Sequence, residues 1–231
     1  MVKNAGFIAD WRFSLLLIAL ICNILFAPLI ADLDLGPSTG SISIEIAFTF
    51  LLIILVFVVG HNKNLILLYT TIAFSALIFS WINILNPSAF LSILSHLFSF
   101  TALTLAITLV IKESLLSEEV TMDTIAGSLC AYLLLGFAFA SIYALIDIVA
   151  PSSFISSIPG KEGLIDLASS DLDRIYFSFV TLLTVGYGDI VPASPPAKLT
   201  TIIEGFIGQV YLVVLIARLV GMHVSQKTHQ K

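Results

Sequence analysis

Thr184-Val185-Gly186-Tyr187-Gly188-Asp189 is the stretch whose residue types and spacing could do chemistry, and the reactive atoms would be backbone oxygens rather than side chains. A cation entering a narrow passage must give up its hydration water, so the passage has to offer replacement oxygen ligands at little net cost. Successive carbonyls point at one axis only if the chain passes through conformations that a Cβ resists and glycine accepts. Gly186 and Gly188 stand at alternate positions, and Val185 and Tyr187 between them can turn their side chains away from that axis. The hydroxyl of Thr184 adds one more oxygen at the inner end. A lone Gly-x-Gly marks ordinary turns; the weight rests on the complete hexapeptide and on what flanks it.

Positioning such oxygens requires a surrounding scaffold, and the composition says what kind. The 231 residues are 58% hydrophobic and 11% charged, which describes an integral membrane protein rather than a soluble globule. The formal charge of -5 is less informative than where the charges lie. Cys22 and Cys130 both fall inside apolar runs, which argues against a disulfide framework. Apolar runs predict spans over residues 13–30, 44–59, 65–85, 88–111, 124–150 and 199–220. The first could be a signal peptide, but the run is long and no small-x-small cleavage site follows it, so a retained span is expected. Trp81 falls near a span end, where indoles favour the interface.

Between the spans the punctuation is clear. Asn86-Pro87 turns the third run into the fourth. Residues 112–123 form the most charged stretch, readable either as an interfacial coupling helix or as a solvated connector. Residues 151–171 are rich in serine with a Pro159-Gly160 turn, expected to be an external turret loop. Residues 172–183 are apolar but too short to cross a bilayer, and they run directly into the hexapeptide. Non-helical backbone at membrane depth is tolerated only where it lines water or is buried in protein. Pro192, Pro195 and Pro196 are expected to turn the chain into the last span.

With a cytoplasmic amino terminus, the inner segments hold Lys3, Arg12, Lys63, Lys112, Arg218, Lys227 and Lys231, against Lys161, Arg174 and Lys198 outside. This obeys the positive-inside rule and places the short re-entrant segment on the outer face. The expected fold class is therefore an all-α membrane protein with six transmembrane helices and a re-entrant helix and loop between the fifth and sixth. The expected divisions are a four-helix domain over 1–111, a linker over 112–123, a pore domain over 124–220 and a short tail over 221–231.

Residues 172–220, with 124–150 as an outer helix, resemble the pore module of prokaryotic six-transmembrane potassium channels of the tetrameric cation-channel superfamily. The resemblance implies that Thr184, Val185, Gly186 and Tyr187 coordinate potassium, that Gly188 is the outer filter glycine, and that Asp189 is the acid behind the filter. It also implies filter support from Tyr176, Phe177 and Val180. Where many members carry two tryptophans, this chain has Tyr176 and Phe177, so one donor is lost, although Tyr176 could still reach Asp189. Leu183 replaces the threonine or alanine more common before the filter. Gly208 falls where the inner-helix hinge glycine is found, with close packing as the alternative and the preferred reading for Gly205. Leu183, Gln209, Leu212, Ile216 and Val220 are the implied pore-lining positions.

Glu204, an acid inside the last predicted span, is expected to take a hydrogen-bonded structural role near the short helix. His96 is the one ionisable side chain over 88–110, a stretch with no lysine or arginine, and is read as a packing histidine rather than a proton sensor. Channels opened by voltage carry arginines there, so gating of that kind is not expected. No nucleotide loop, metal-ligand cluster or catalytic constellation is apparent, and no enzyme activity, cofactor or nucleic-acid partner is expected, potassium being the permeant ion. One filter strand per chain implies a homotetramer, multi-pass in a bacterial plasma membrane, both termini cytoplasmic and no cytoplasmic regulatory domain. Two other readings stand beside passive conduction: a potassium-translocating transporter subunit, and a non-conducting membrane sensor that retains the fold.

Overall fold

A computed structural model describes residues 11–31, 39–58, 63–115, 121–157, 162–168 and 170–229. The predicted apolar runs are helical: α1 (Arg12–Ala31), α2 (Thr39–Val58), α3 (Lys63–Leu85), α4 (Ala89–Val110), α5 (Met122–Val149), the short α6 (Asp171–Leu182) and α7 (Pro195–His229). By length and apolar composition, Lys63–Leu85, Ala89–Ser114, Met122–Val149 and Pro195–Arg218 can each cross a membrane. The described apolar stretches of the first two helices, Arg12–Leu25 and Ile42–Val58, are shorter.

Local chemistry sets the helix ends. Asn83 Oδ1 accepts from the Ser88 amide at 3.1 Å and the Ser88 hydroxyl accepts from Leu91 N at 3.2 Å, so the Asn86-Pro87 turn closes directly into α4. Thr121 and Thr124 cap α5 reciprocally. Ser170 caps α6, and Asp171 and Asp173 in its first turn suit the positive end of the helix dipole.

Three expectations need correction. The fourth apolar run does not stop at residue 111: a π-helical turn, Ile111–Leu115, carries it on, with the Ser114 hydroxyl donating to Val110 O at 2.6 Å. Residues 116–120 of the charged linker lie outside the described residues. Pro195 and Pro196 do not precede the last helix but begin it, because a first-turn proline lacks only an N–H that has no helical partner there. The serine-rich turret is not simply a loop: it adds a small sheet to a fold that is otherwise helical. Strands β1 (Phe154–Ser156), β2 (Gly163–Ile165) and β3 (Ile190–Pro192) form an antiparallel sheet in the order β2-β1-β3, with Phe154 opposite both Ile165 and Pro192.

The helices pack as α1 on α2 and α5, α3 on α4, and α4 on α5, while α6 and α7 lean on α5 and on each other. Two glycines allow the close approach. A Cβ at Gly127 would lie 2.7 Å from Ser114 Cβ, and one at Gly136 would lie 2.8 Å from the Phe179 ring. The main core gathers Phe13, Leu52, Leu103, Leu134 and their neighbours. A second, smaller core joins the sheet to α5 and α6: Tyr143, Phe154 and Phe177 meet edge to face, with ring centroids 4.9–5.6 Å apart. Asp147 at the end of α5 accepts from Ser153 N at 3.1 Å and Leu167 N at 2.8 Å, which pins both ends of the β1–β2 hairpin.

Candidate ion-coordination site

The hexapeptide leaves the carboxyl end of α6 and runs to β3. A helix ends with carbonyls that have no partner inside it, and here the chain folds back so that its next amides supply the partners. Leu183 N bonds Phe179 O at 2.9 Å, Thr184 N bonds Thr181 O at 3.0 Å, and Val180 O takes both Val185 N at 2.9 Å and Gly186 N at 3.3 Å. The amides are thus used up against the helix. The carbonyls of the same residues are left for something else.

Backbone dihedrals show how those carbonyls are aimed. Thr184, Gly186 and Gly188 have φ of 57°, 60° and 77°, while Val185 and Tyr187 between them do not have positive φ. Alternating hand at successive residues lets successive carbonyls face the same side of the segment, where they can serve as cation ligands. Glycine is chosen here for conformation and not for space, since a Cβ at Gly186 or Gly188 would meet nothing within 4 Å. Thr184 is a β-branched residue in the left-handed region, a conformation that costs about 1–3 kcal/mol and persists where the surroundings over-determine it. Its amide bond to Thr181 and the double claim on Val180 O supply that constraint.

The far end of the hexapeptide is tied to the sheet. Asp189 O accepts from Ser157 N at 2.7 Å and Ser157 Oγ at 3.3 Å, and Asp189 Oδ1 accepts from Ile190 N at 2.9 Å. Tyr176 of α6 does reach across: its hydroxyl donates to Asp189 Oδ2. A phenol with its ordinary pKa of about 10 keeps its proton at neutral pH, so the tyrosine acts as the donor. Phe177 packs inside the aromatic cluster with Tyr143 and Phe154. Val180 contributes through its carbonyl.

Three further groups hold α6 in place. Glu204 is fully buried in α7; its Oε2 accepts from the Tyr143 hydroxyl at 2.5 Å and its Oε1 from Ser178 Oγ at 2.5 Å, joining three helices as the structural role expected of it requires. Tyr132 donates to Leu182 O at 2.9 Å. Gly208 lets α7 press on the same residue, since a Cβ there would lie 2.9 Å from Leu182 Cδ1 and 3.0 Å from Leu182 O. Close packing within the chain therefore belongs to Gly208; around Gly205 there is open space. Tyr132, Tyr143, Ser157 and Ser178 carried no motif that could have singled them out.

Leu183, Gln209, Ile216 and Val220 are exposed on this chain, and Leu212 is partly buried against the main core. Val185 and Tyr187 are 47% and 72% exposed, so the hexapeptide presents both its side chains and its carbonyls outside the chain that makes it.

Residues 127–224 match the family model described as Ion channel. Among curated relatives, the chain is 34% identical over 108 residues to two-pore potassium channel 4 of Arabidopsis thaliana, covering 47% of this chain and 36% of that protein. It is 36% identical over 101 residues to two pore potassium channel c of Oryza sativa subsp. japonica, covering 44% of this chain and 19% of that one. The match thus spans about a third or less of the length of these relatives. No solved structure matches.

Proposed function

We propose that the chain is one subunit of a homotetrameric, potassium-selective channel that conducts passively, with the carbonyls of Thr184, Val185, Gly186 and Tyr187 as the ion ligands. The observation that carries this reading is the alternation of left-handed backbone at Thr184, Gly186 and Gly188 in a segment whose first amides, those of Thr184, Val185 and Gly186, are bonded to α6. Such a segment can replace a hydration shell with carbonyl oxygens. The ion-channel match over 127–224 and the potassium-channel names of the relatives support the same ion.

One hexapeptide gives one wall, and a closed ring needs several copies related by rotation. Four copies would cover the exposed Val185 and Tyr187 and turn Gln209, Ile216 and Val220 toward a shared axis. The six apolar helices are read as six spans in a bacterial plasma membrane, with α6 re-entering from outside and both termini cytoplasmic. Gly208 is the position at which α7 would bend to open the inner end. No lysine or arginine occurs over 88–110; since each charge moved through the field is worth about 2.3 kcal/mol per 100 mV, the arginine-helix form of voltage gating is not part of the proposal.

The test is ion flux from liposomes containing the purified protein, comparing potassium with sodium and wild type with Gly186→Ala. The reading requires potassium flux that exceeds sodium flux and disappears in the variant. Equal flux of both ions, or flux that survives the substitution, overturns it.

A further inference from the structure

Away from the hexapeptide, a cavity of about 380 Å³ lies between α2, α3, α4, α5 and the first turn of α6. Its walls are more polar than an apolar helix bundle requires: Glu45 reaches it from α2, His96 from α4, and Asp171 and Arg174 from α6, with serine hydroxyls between them. Asp171 and Arg174 form an ion pair, and Arg174 Nη1 also donates to Ala168 O at 3.3 Å. Those two charges answer each other.

Glu45 feels the same two charges, but Arg174 is paired with Asp171 rather than with it. Its carboxylate bonds the Ser80 side chain, but Oε1 is buried without a hydrogen-bond partner among the described residues. A partly buried carboxylate at the wall of a polar cavity is complementary to a cation that brings its own N–H donors. Phe48, Ile84, Phe137 and Ile175 line the remaining wall and would receive an apolar body. The volume falls within the range of small-molecule sites, about 300–1,000 Å³. A shallower groove of about 610 Å³ beside the sheet shares Asn83, Pro87, Ser92 and Ala168 with the cavity and gives it a way in.

We propose that this cavity binds a primary ammonium group carried on an apolar body, with the ammonium against the cavity-facing side of the Glu45 carboxylate and the body against Phe48 and Phe137. The site rests on the cavity alone and does not depend on the conduction reading.

Calorimetric titration of the full-length protein in phosphatidylcholine nanodiscs tests it, with phenethylamine as probe and 2-phenylethanol as its uncharged counterpart. The expected result is saturable binding of the amine, at least tenfold weaker binding of the alcohol, and at least tenfold loss of amine affinity in Glu45→Gln. Filling the cavity with Ala140→Phe should abolish binding while leaving Glu45 in place. Equal binding of amine and alcohol by wild type, a comparison that needs no variant to fold, overturns the proposal. So does displacement of the amine by potassium at constant ionic strength, which would assign Glu45 to an inorganic cation. Loss of amine binding in phosphatidylethanolamine nanodiscs would support the ammonium chemistry and identify the lipid headgroup as its source.

Discussion

The most apolar 18-residue stretches of α5 and α7 have nearly the same mean hydropathy, 2.2 and 1.9, yet 67% of the first is buried within the chain and only 22% of the second. The difference comes from what each helix offers its neighbours. Small residues along α5, Gly127 and Gly136 among them, let α1, α4 and α6 approach from several directions. Among the described side chains, the buried positions of α7 form one stripe, Ala197, Glu204, Gly208, Tyr211 and Leu215, while Ile202, Phe206, Val213 and Ile216 stay bare. Hydropathy says that a helix can live in a membrane. The pattern of small and polar residues says whether its own chain or something else surrounds it.

Several substitutions would break or sharpen this contrast. The largest effect is expected from Glu204→Leu, which leaves the Tyr143 hydroxyl without its acceptor at a buried junction and Ser178 with Gly136 O alone, at about 3 kcal/mol. Denaturation of the purified protein should show it, and wild-type stability would mean that the stripe does not hold α7. On α5, Gly136→Val drives methyls into the Phe179 ring and should destabilise by about 2 kcal/mol in the same assay.

The bare face of α7 should respond differently. Phe206→Ser is expected to weaken association by about 1–2 kcal/mol per interface while helicity measured by circular dichroism stays unchanged. If native mass spectrometry still finds the proposed assembly intact at low protein concentration, the contact lies elsewhere. Tyr176→Phe removes the bond to Asp189 and should reduce stability by about 1 kcal/mol, with a faster decay of potassium flux over time. The smallest effect is assigned to Gly205→Ala: the space around it within the chain is open, so subunit stability should move by less than about 0.5 kcal/mol. A larger loss seen only in the assembled protein would locate a neighbouring subunit at Gly205.

The hexapeptide was legible in the sequence because its requirement is local: glycine at alternate positions answers a backbone need that no distant contact alters. The apolar runs were legible for the same reason. Element ends were not, and Pro195 and Pro196 show why, since a proline that stops one helix is equally suited to start the next. The sheet could not be read from three-residue strands in a serine-rich segment, because β1 owes its existence to pairing with β3, more than thirty residues later. Glu204 stood out as an acid among apolar residues. Its partners Tyr143 and Ser178, ordinary in type and distant in sequence, acquire meaning only once three helices meet. The strain at Thr184 was equally invisible, because threonine there suggested an oxygen ligand and not a left-handed residue.

The bond from Ser157 to Asp189 O has a mechanical side. Held to a helix end through its first amides and to a β-strand at Asp189, the hexapeptide is like a string stretched between two pegs. The distance between the pegs then governs its pitch more than any stiffness of its own. One peg is deep in the helical body; the other belongs to a small sheet beside the serine-rich segment. A tug on that sheet would retune the spacing of the oxygens without touching any of them.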